Sequence, residues 1–175
     1  MSSMRRPPLA VVFVAMLVIA LGETAGAVIS QLRPQTVRYA QARVEANPKA
    51  HGLAGSAEYD LEVTTRAVYS AEAGLSFFHT HAQGLGPLAI LAATVTASVV
   101  RWPWARGALY ALFAVGAFFP LGYLAYSVAV LERGRDAGIE LAERFVLTPL
   151  GSAVIVGLVL LAAVMVAGRR REESA

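Results

Sequence analysis

The sequence predicts an all-α membrane protein: four transmembrane helices in a bundle with a partly helical outer loop. Three observations carry this. Hydrophobic residues make up 57% of the 175-residue chain and charged residues 15%, far more apolar than a soluble domain of this size. Four apolar runs, at about 9–29, 74–100, 106–131 and 149–167, each reach the roughly 17–25 residues that a helix needs to cross a hydrocarbon core. None alternates with the period of two that barrel strands require, so helices are the remaining way to satisfy the backbone in lipid. Residues 1–175 read as one domain.

In the first run Arg5 and Arg6 precede an apolar centre from Leu9 to Leu21, and Ala25-Gly26-Ala27 resembles a small-residue cleavage site. That is the pattern of a signal peptide. Apolar character resumes at Val28 and Ile29, which favours a retained helix. The outer loop, about 30–73, has helix formers from Thr36 to Ala46, a stop at Asn47-Pro48 and a turn over 50–56 with Gly52 and Gly55. Leu61, Thr65, Val68 and Glu72 recur at helical spacing, so the second helix is expected to begin well above the bilayer. Its lower half carries Ala89, Ala93 and Ala97, a ladder that lets another helix approach closely. Trp102 and Trp104 flank Pro103 in a short inner turn. Pro120 predicts a kink in the third helix, freeing the Gly116 carbonyl. The second outer loop, about 132–148, is charged and expected to be partly helical.

The composition also excludes. With no cysteine, disulfides, thiolate zinc and iron–sulfur sites and thioether haem attachment are ruled out. The net charge of +3 comes without a basic stripe, so nucleic acid is not a partner. Arg5, Arg6, Arg101, Arg106 and Arg169 to Arg171 crowd the ends of apolar runs on one side, which should be cytoplasmic. Both termini then lie inside and both long loops outside. Nucleotide loops, nucleophile elbows and metalloprotease helices are missing.

At 1.5 Å per residue, the polar residues inside the runs meet at one depth. Glu23 lies about 21 Å above the inner surface, and Tyr123 and Tyr126 about 25–30 Å. His79 and His81 lie about 7–11 Å below the outer surface, with Gln83 just beneath and Ser152 opposite. Ionisable groups in a bilayer are costly and usually functional. Imidazole ligates copper, zinc, iron and haem, so His79 and His81 are the cofactor-binding candidates. Glu23 joins them as a third metal ligand, a proton carrier or their partner. Gln83, Tyr123, Tyr126 and Ser152 would complete the polar network. Residues two apart on a helix point about 200° apart, so one ion reaches both histidines only if the helix is distorted. Glu72, His79 and Gln83 share one face; His81 shares the other with Phe77 and Gly84. A haem would need His51, Met16 or an open axial position.

Three segments together, His79-Thr80-His81-Ala82 with Leu85-Gly86, Pro120-Leu121-Gly122-Tyr123 and Pro149-Leu150-Gly151, resemble a loose group of small bacterial four-helix membrane proteins. In that group an H-x-H-A helix is followed by a P-L-G-F/Y helix and a last helix opening with P-x-G. The resemblance covers about 75–167 and implies a bacterial inner membrane, the four-helix fold and the same site residues, without naming a reaction. The H-x-H-A run is also similar to histidine-bearing helices of haem–copper oxidase-like proteins. The further histidines of such a centre are missing, so no oxidase activity is implied. The expected function is a membrane accessory or subunit protein with a metal or haem site near the outer face, serving a larger respiratory or metal-handling complex. Copper, another transition metal or haem are the cofactor candidates. Lipid, other membrane subunits or further copies of the chain are the partners. The alternatives are a structural subunit without cofactor, and an oligomeric transporter or channel relaying through Glu23 and the histidines. An enzyme acting alone is least favoured.

Overall fold

The structure, a computed structural model, describes residues 6–172, with side chains through residue 168. Arg5 and the side chains of Arg169 to Arg171, which carry part of the expected orientation, lie outside the described residues. Helix makes up 89% of the structure, and no strand occurs among the described residues. The elements are α1 (Leu9–Gln31), α2 (Arg33–Ala46), α3 (Pro48–His51), α4 (Ala57–Val99), α5 (Pro103–Gly116), α6 (Leu121–Arg133), α7 (Arg135–Ala142), a π-helical turn (Glu143–Leu147) and α8 (Thr148–Glu172).

Prolines and glycines set most of the boundaries. Pro34 cannot donate to the carbonyl four residues back, which separates α1 from α2 at Leu32. The α2 helix stops at Asn47, before Pro48, where the sequence placed its end. Gly52 and Gly55 take φ of +68° and +81°, a region open mainly to glycine, and turn the chain into α4. At 43 residues, α4 is about 65 Å long, roughly twice the thickness of a hydrocarbon core. It therefore includes the upper extension that the spacing from Leu61 to Glu72 suggested. Pro87 lies within α4 and has no N–H to offer the Gln83 carbonyl.

The third apolar run departs from expectation in one respect. Pro120 produces a break instead of a kink: residues 117–120 form turns between α5 and α6. The Gly116 carbonyl is not left free, because the Phe119 N–H donates to it at 2.9 Å. The second outer loop also differs, being helical almost throughout. After Gly134, α7 passes through the π turn directly into α8.

Two layers result. The trunk holds four helical stretches long and apolar enough to cross a membrane: Leu9–Gln31, Ala57–Val99, Pro103–Arg133 and Arg135–Gly168. There α1 packs along α4, α6 packs on α4, and α8 leans on α5. Its lower core joins Val11, Ala92, Ala93, Leu109, Phe113 and Leu161. The head is made by α2, α3, the upper part of α4, the end of α6 and α7 around Val44, Ala67, Ala71, Val130 and Leu131. Polar ties close it. Arg43 donates through Nε and Nη2 to the two oxygens of Glu132 at 2.8 and 2.6 Å, and Arg33 donates to Glu72 at 3.0 Å. The fork geometry of Arg43 on a carboxylate is directional, so it fixes α2 against α6 in one register.

The ladder of Ala89, Ala93 and Ala97 is buried, Ala93 completely. Ala93→Leu should overpack the contact among Val11, Leu109 and Phe113, at a cost of about 1–3 kcal/mol. A lower thermal midpoint in detergent is expected. An unchanged midpoint would mean that the ladder is not a close contact.

Candidate functional site

Small residues bring α1 and α4 together. A Cβ added to Gly22 would overlap the Ala82 methyl, one on Gly86 would overlap Ile19, and one on Gly26 would come within 2.5 Å of the His79 ring. The Gly22-x-x-x-Gly26 spacing keeps both glycines on one face of α1, the arrangement that lets helix backbones approach closely. The approach has a chemical consequence. The carbonyl of Gly22 reaches His79 Nδ1 at 2.9 Å.

A carbonyl only accepts, so His79 Nδ1 carries the proton and donates. In the neutral ring Nε2 is then the acceptor. Gln83, one turn on, completes the chain. Its Nε2 lies 2.8 Å from Glu23 Oε1 and 3.3 Å from His79 Nε2. Both of those atoms accept, which assigns the nitrogen of the amide to this position and gives each of its two protons a partner. Four groups thus form one directed sequence, in which Gly22 accepts from His79 and Gln83 donates to both His79 and Glu23. His79 is half-buried under Gly26, while Glu23 and Gln83 are exposed. Apolar Leu17, Met16 and Leu21 are exposed on the same helix as Glu23.

His81 faces elsewhere, as the 200° offset requires. Its Nδ1 donates to the Phe77 carbonyl at 2.8 Å. Its ring lies 4.7 Å from the Tyr123 ring and 5.6 Å from that of Phe119. The break at Pro120 supplies that aromatic pocket, because Phe119 sits in it.

The remaining candidates divide. Tyr123 is with His81. Tyr126 lies under Gly74 and packs against the head core. Glu72 shares a face with His79 and Gln83, but Arg33 takes it. Ser152 is exposed on α8 and enters none of these hydrogen bonds. Of the expected set, the fold brings together Glu23, His79 and Gln83, and separately His81 with Tyr123. Among the described residues no group of three or more His, Asp or Glu side chains is arranged to hold a metal ion.

Three participants went unrecognised in the sequence. Gly22 and Gly26 had a signal, their four-residue spacing, but Gly26 also fitted a cleavage site. Ser127 had none. Its buried hydroxyl lies 2.9 Å from the Ala71 carbonyl and 3.0 Å from that of Tyr123, tying α4 to α6. No protein-family model matches the chain, and no curated protein or solved structure is significantly similar to it.

The hydrogen-bond directions predict that His79 is the neutral Nδ1–H tautomer. ¹⁵N NMR of the chain in micelles at neutral pH should show a protonated Nδ1 and a bare Nε2 for this ring. Gly26→Ala should abolish that pattern, since the new methyl takes the place of the ring. An opposite tautomer in the parent chain would overturn the network.

Proposed function

We propose that the chain is a small integral membrane subunit that works inside a larger assembly, with Glu23, Gln83 and His79 as the polar element of its contact face. The observation that carries this is an exposed carboxylate and amide, Glu23 and Gln83, among exposed apolar residues such as Met16, Leu17, Leu21, Phe77 and Leu91 on the same two helices. At the depth estimated for Glu23, facing lipid is unfavourable, and such groups normally face protein or a water-filled cavity. Cover by a neighbour, another membrane subunit or a second copy, removes the conflict. The resemblance to small bacterial four-helix membrane proteins supports the same reading.

The reading places α1, the lower part of α4, α5–α6 and α8 in a bacterial inner membrane. Both termini are then cytoplasmic and the head lies outside. Arg101, Trp102, Trp104 and Arg106 at the foot suit a cytoplasmic interface. Reporter fusions at the C-terminus and between Gly52 and Gly55 should report inside and outside respectively. The reverse result removes both the orientation and the depth of Glu23.

The chain has no cysteine of its own, so a single introduced thiol reports on one position. Ala27→Cys, exposed on α1 one turn beyond Glu23 and on its face, should react slowly with a lipid-soluble maleimide in native membranes. Val166→Cys, exposed on α8, should react fast. Equal rates would leave the Glu23 face open to lipid and sink the assembly reading.

A second reading keeps the metal or haem site. Its support is the position of Gln83 Nε2, between two lone-pair-bearing atoms, Glu23 Oε1 and His79 Nε2, at 2.8 and 3.3 Å. If Gln83 turned away, His79 Nε2 and Glu23 could share an ion. They supply two ligands where a tetrahedral site takes four, so the partner would have to add the rest. The chain purified with its neighbours should then contain stoichiometric copper or zinc, or show a Soret band, and His79→Ala should lose it. Loss of neither on that substitution returns the cluster to a contact role.

A further inference from the structure

A second site lies in the head. An open cavity of about 300 Å³ is bounded by α3, the upper part of α4 and the corner between α6 and α7. That size falls at the lower end of small-molecule pockets. Its lining is unbalanced in charge: Arg66, Arg133 and Arg135 stand against a single carboxylate, Asp136. Tyr59, Val63 and Ala67 add an aromatic and aliphatic wall.

The corner has a fixed backbone, and one of its arginines, Arg135, is held in place. Gly134 adopts φ +85° and ψ 158°, a conformation essentially restricted to glycine. It lies so close to the Ala50 carbonyl that an added Cβ would collide with it. His51 Nε2 donates to the Leu131 carbonyl at 2.9 Å, pinning α3 to the end of α6. Arg135 is steadied by Nε on the Ser70 hydroxyl at 3.2 Å and by Nη1 on Asp136 at 2.8 Å. Arg66 is paired with Glu62 on its own helix. Arg133 has no ion-pair partner among the described residues. The first turn of α7, which has no side-chain cap, opens at the same corner, and its free N–H groups favour negative charge.

We infer that this pocket binds a small organic anion, a carboxylate or phosphate group held by Arg133 and Arg135 with an apolar portion against Tyr59 and Val63. Arginine forks suit both oxyanions. The outer surface lies about 7 Å above His79, so Ser70 and Arg66 lie about 6 and 12 Å beyond it along α4 and Tyr59 further still, at and above the rim of a headgroup layer about 5–7 Å deep. The ligand is therefore a soluble anion and not a lipid headgroup. The assignment is independent of what covers Glu23.

The test uses phenyl phosphate as probe and the full chain in phosphatidylcholine nanodiscs, titrated calorimetrically at constant ionic strength. Saturable one-to-one binding is expected. Arg133→Gln, which breaks no contact within the fold, should weaken it about tenfold, in line with a lost charge-assisted hydrogen bond. Arg38→Gln, exposed on α2 outside the pocket, should bind as the parent does. No saturable binding, or equal loss in both variants, overturns the site. A further arm adds phosphatidylglycerol at the same salt. Displacement of phenyl phosphate from the parent chain would assign the pocket to a headgroup and overturn the soluble-anion reading; unchanged binding supports it.

Discussion

Much of the molecule depends on how closely α1 lies against α4. The contact is made by absent side chains: Gly22 over Ala82, Gly26 over His79, and Gly86 under Ile19. Helices apolar enough to cross a membrane would, in lipid, gain mainly from van der Waals contact, which requires backbones near one another. The same proximity places the Gly22 carbonyl within reach of His79. Packing and polar chemistry are here a single constraint, and a methyl group at Gly26 would disturb both.

The polar groups of the trunk illustrate how one helix serves two neighbours. His79 and His81 are close in sequence, yet one is ordered by a carbonyl on α1 and the other by an aromatic cage from the α5–α6 break. Gln83 adds a further element. Pro87 leaves its backbone carbonyl without a helical donor, while its side chain bridges Glu23 and His79. A carbonyl on α4 that lacks its usual helical donor thus lies near an exposed carboxylate on α1. Both are tolerable in a membrane only where another protein or water reaches them.

The helices were readable because each apolar run exceeds what a soluble element needs, and because Asn47-Pro48 and Pro103 punctuate the chain plainly. Glu23, His79 and Gln83 stood out as polar residues in apolar runs, and the common face of His79 and Gln83 follows from helical period alone. Pairings between helices were not readable. Gly22 and Gly26 act by what they lack, and hydropathy does not register that. Charge in residues 132–148 suggested a partly helical loop; the helix extends further than that, and Gly138 lies against the backbone of Ala129. The corner at Arg133 to Arg135 was invisible for the same reason, since its shape depends on Ala50 and His51, far away in the chain.

The unbroken course of α4 has a mechanical consequence. A rod of about 65 Å is gripped by α1 and the start of α2 over a long stretch, from Glu72, which Arg33 holds, through His79 and Ala82 to Gly86. Its upper part is built into the head, where Ala67 and Ala71 lie in that core. Pro87 falls at the lower end of the gripped stretch, where one missing hydrogen bond makes bending easiest. One continuous helix thus belongs to both cores, and a bend at Pro87 would reset the angle at which the two layers meet.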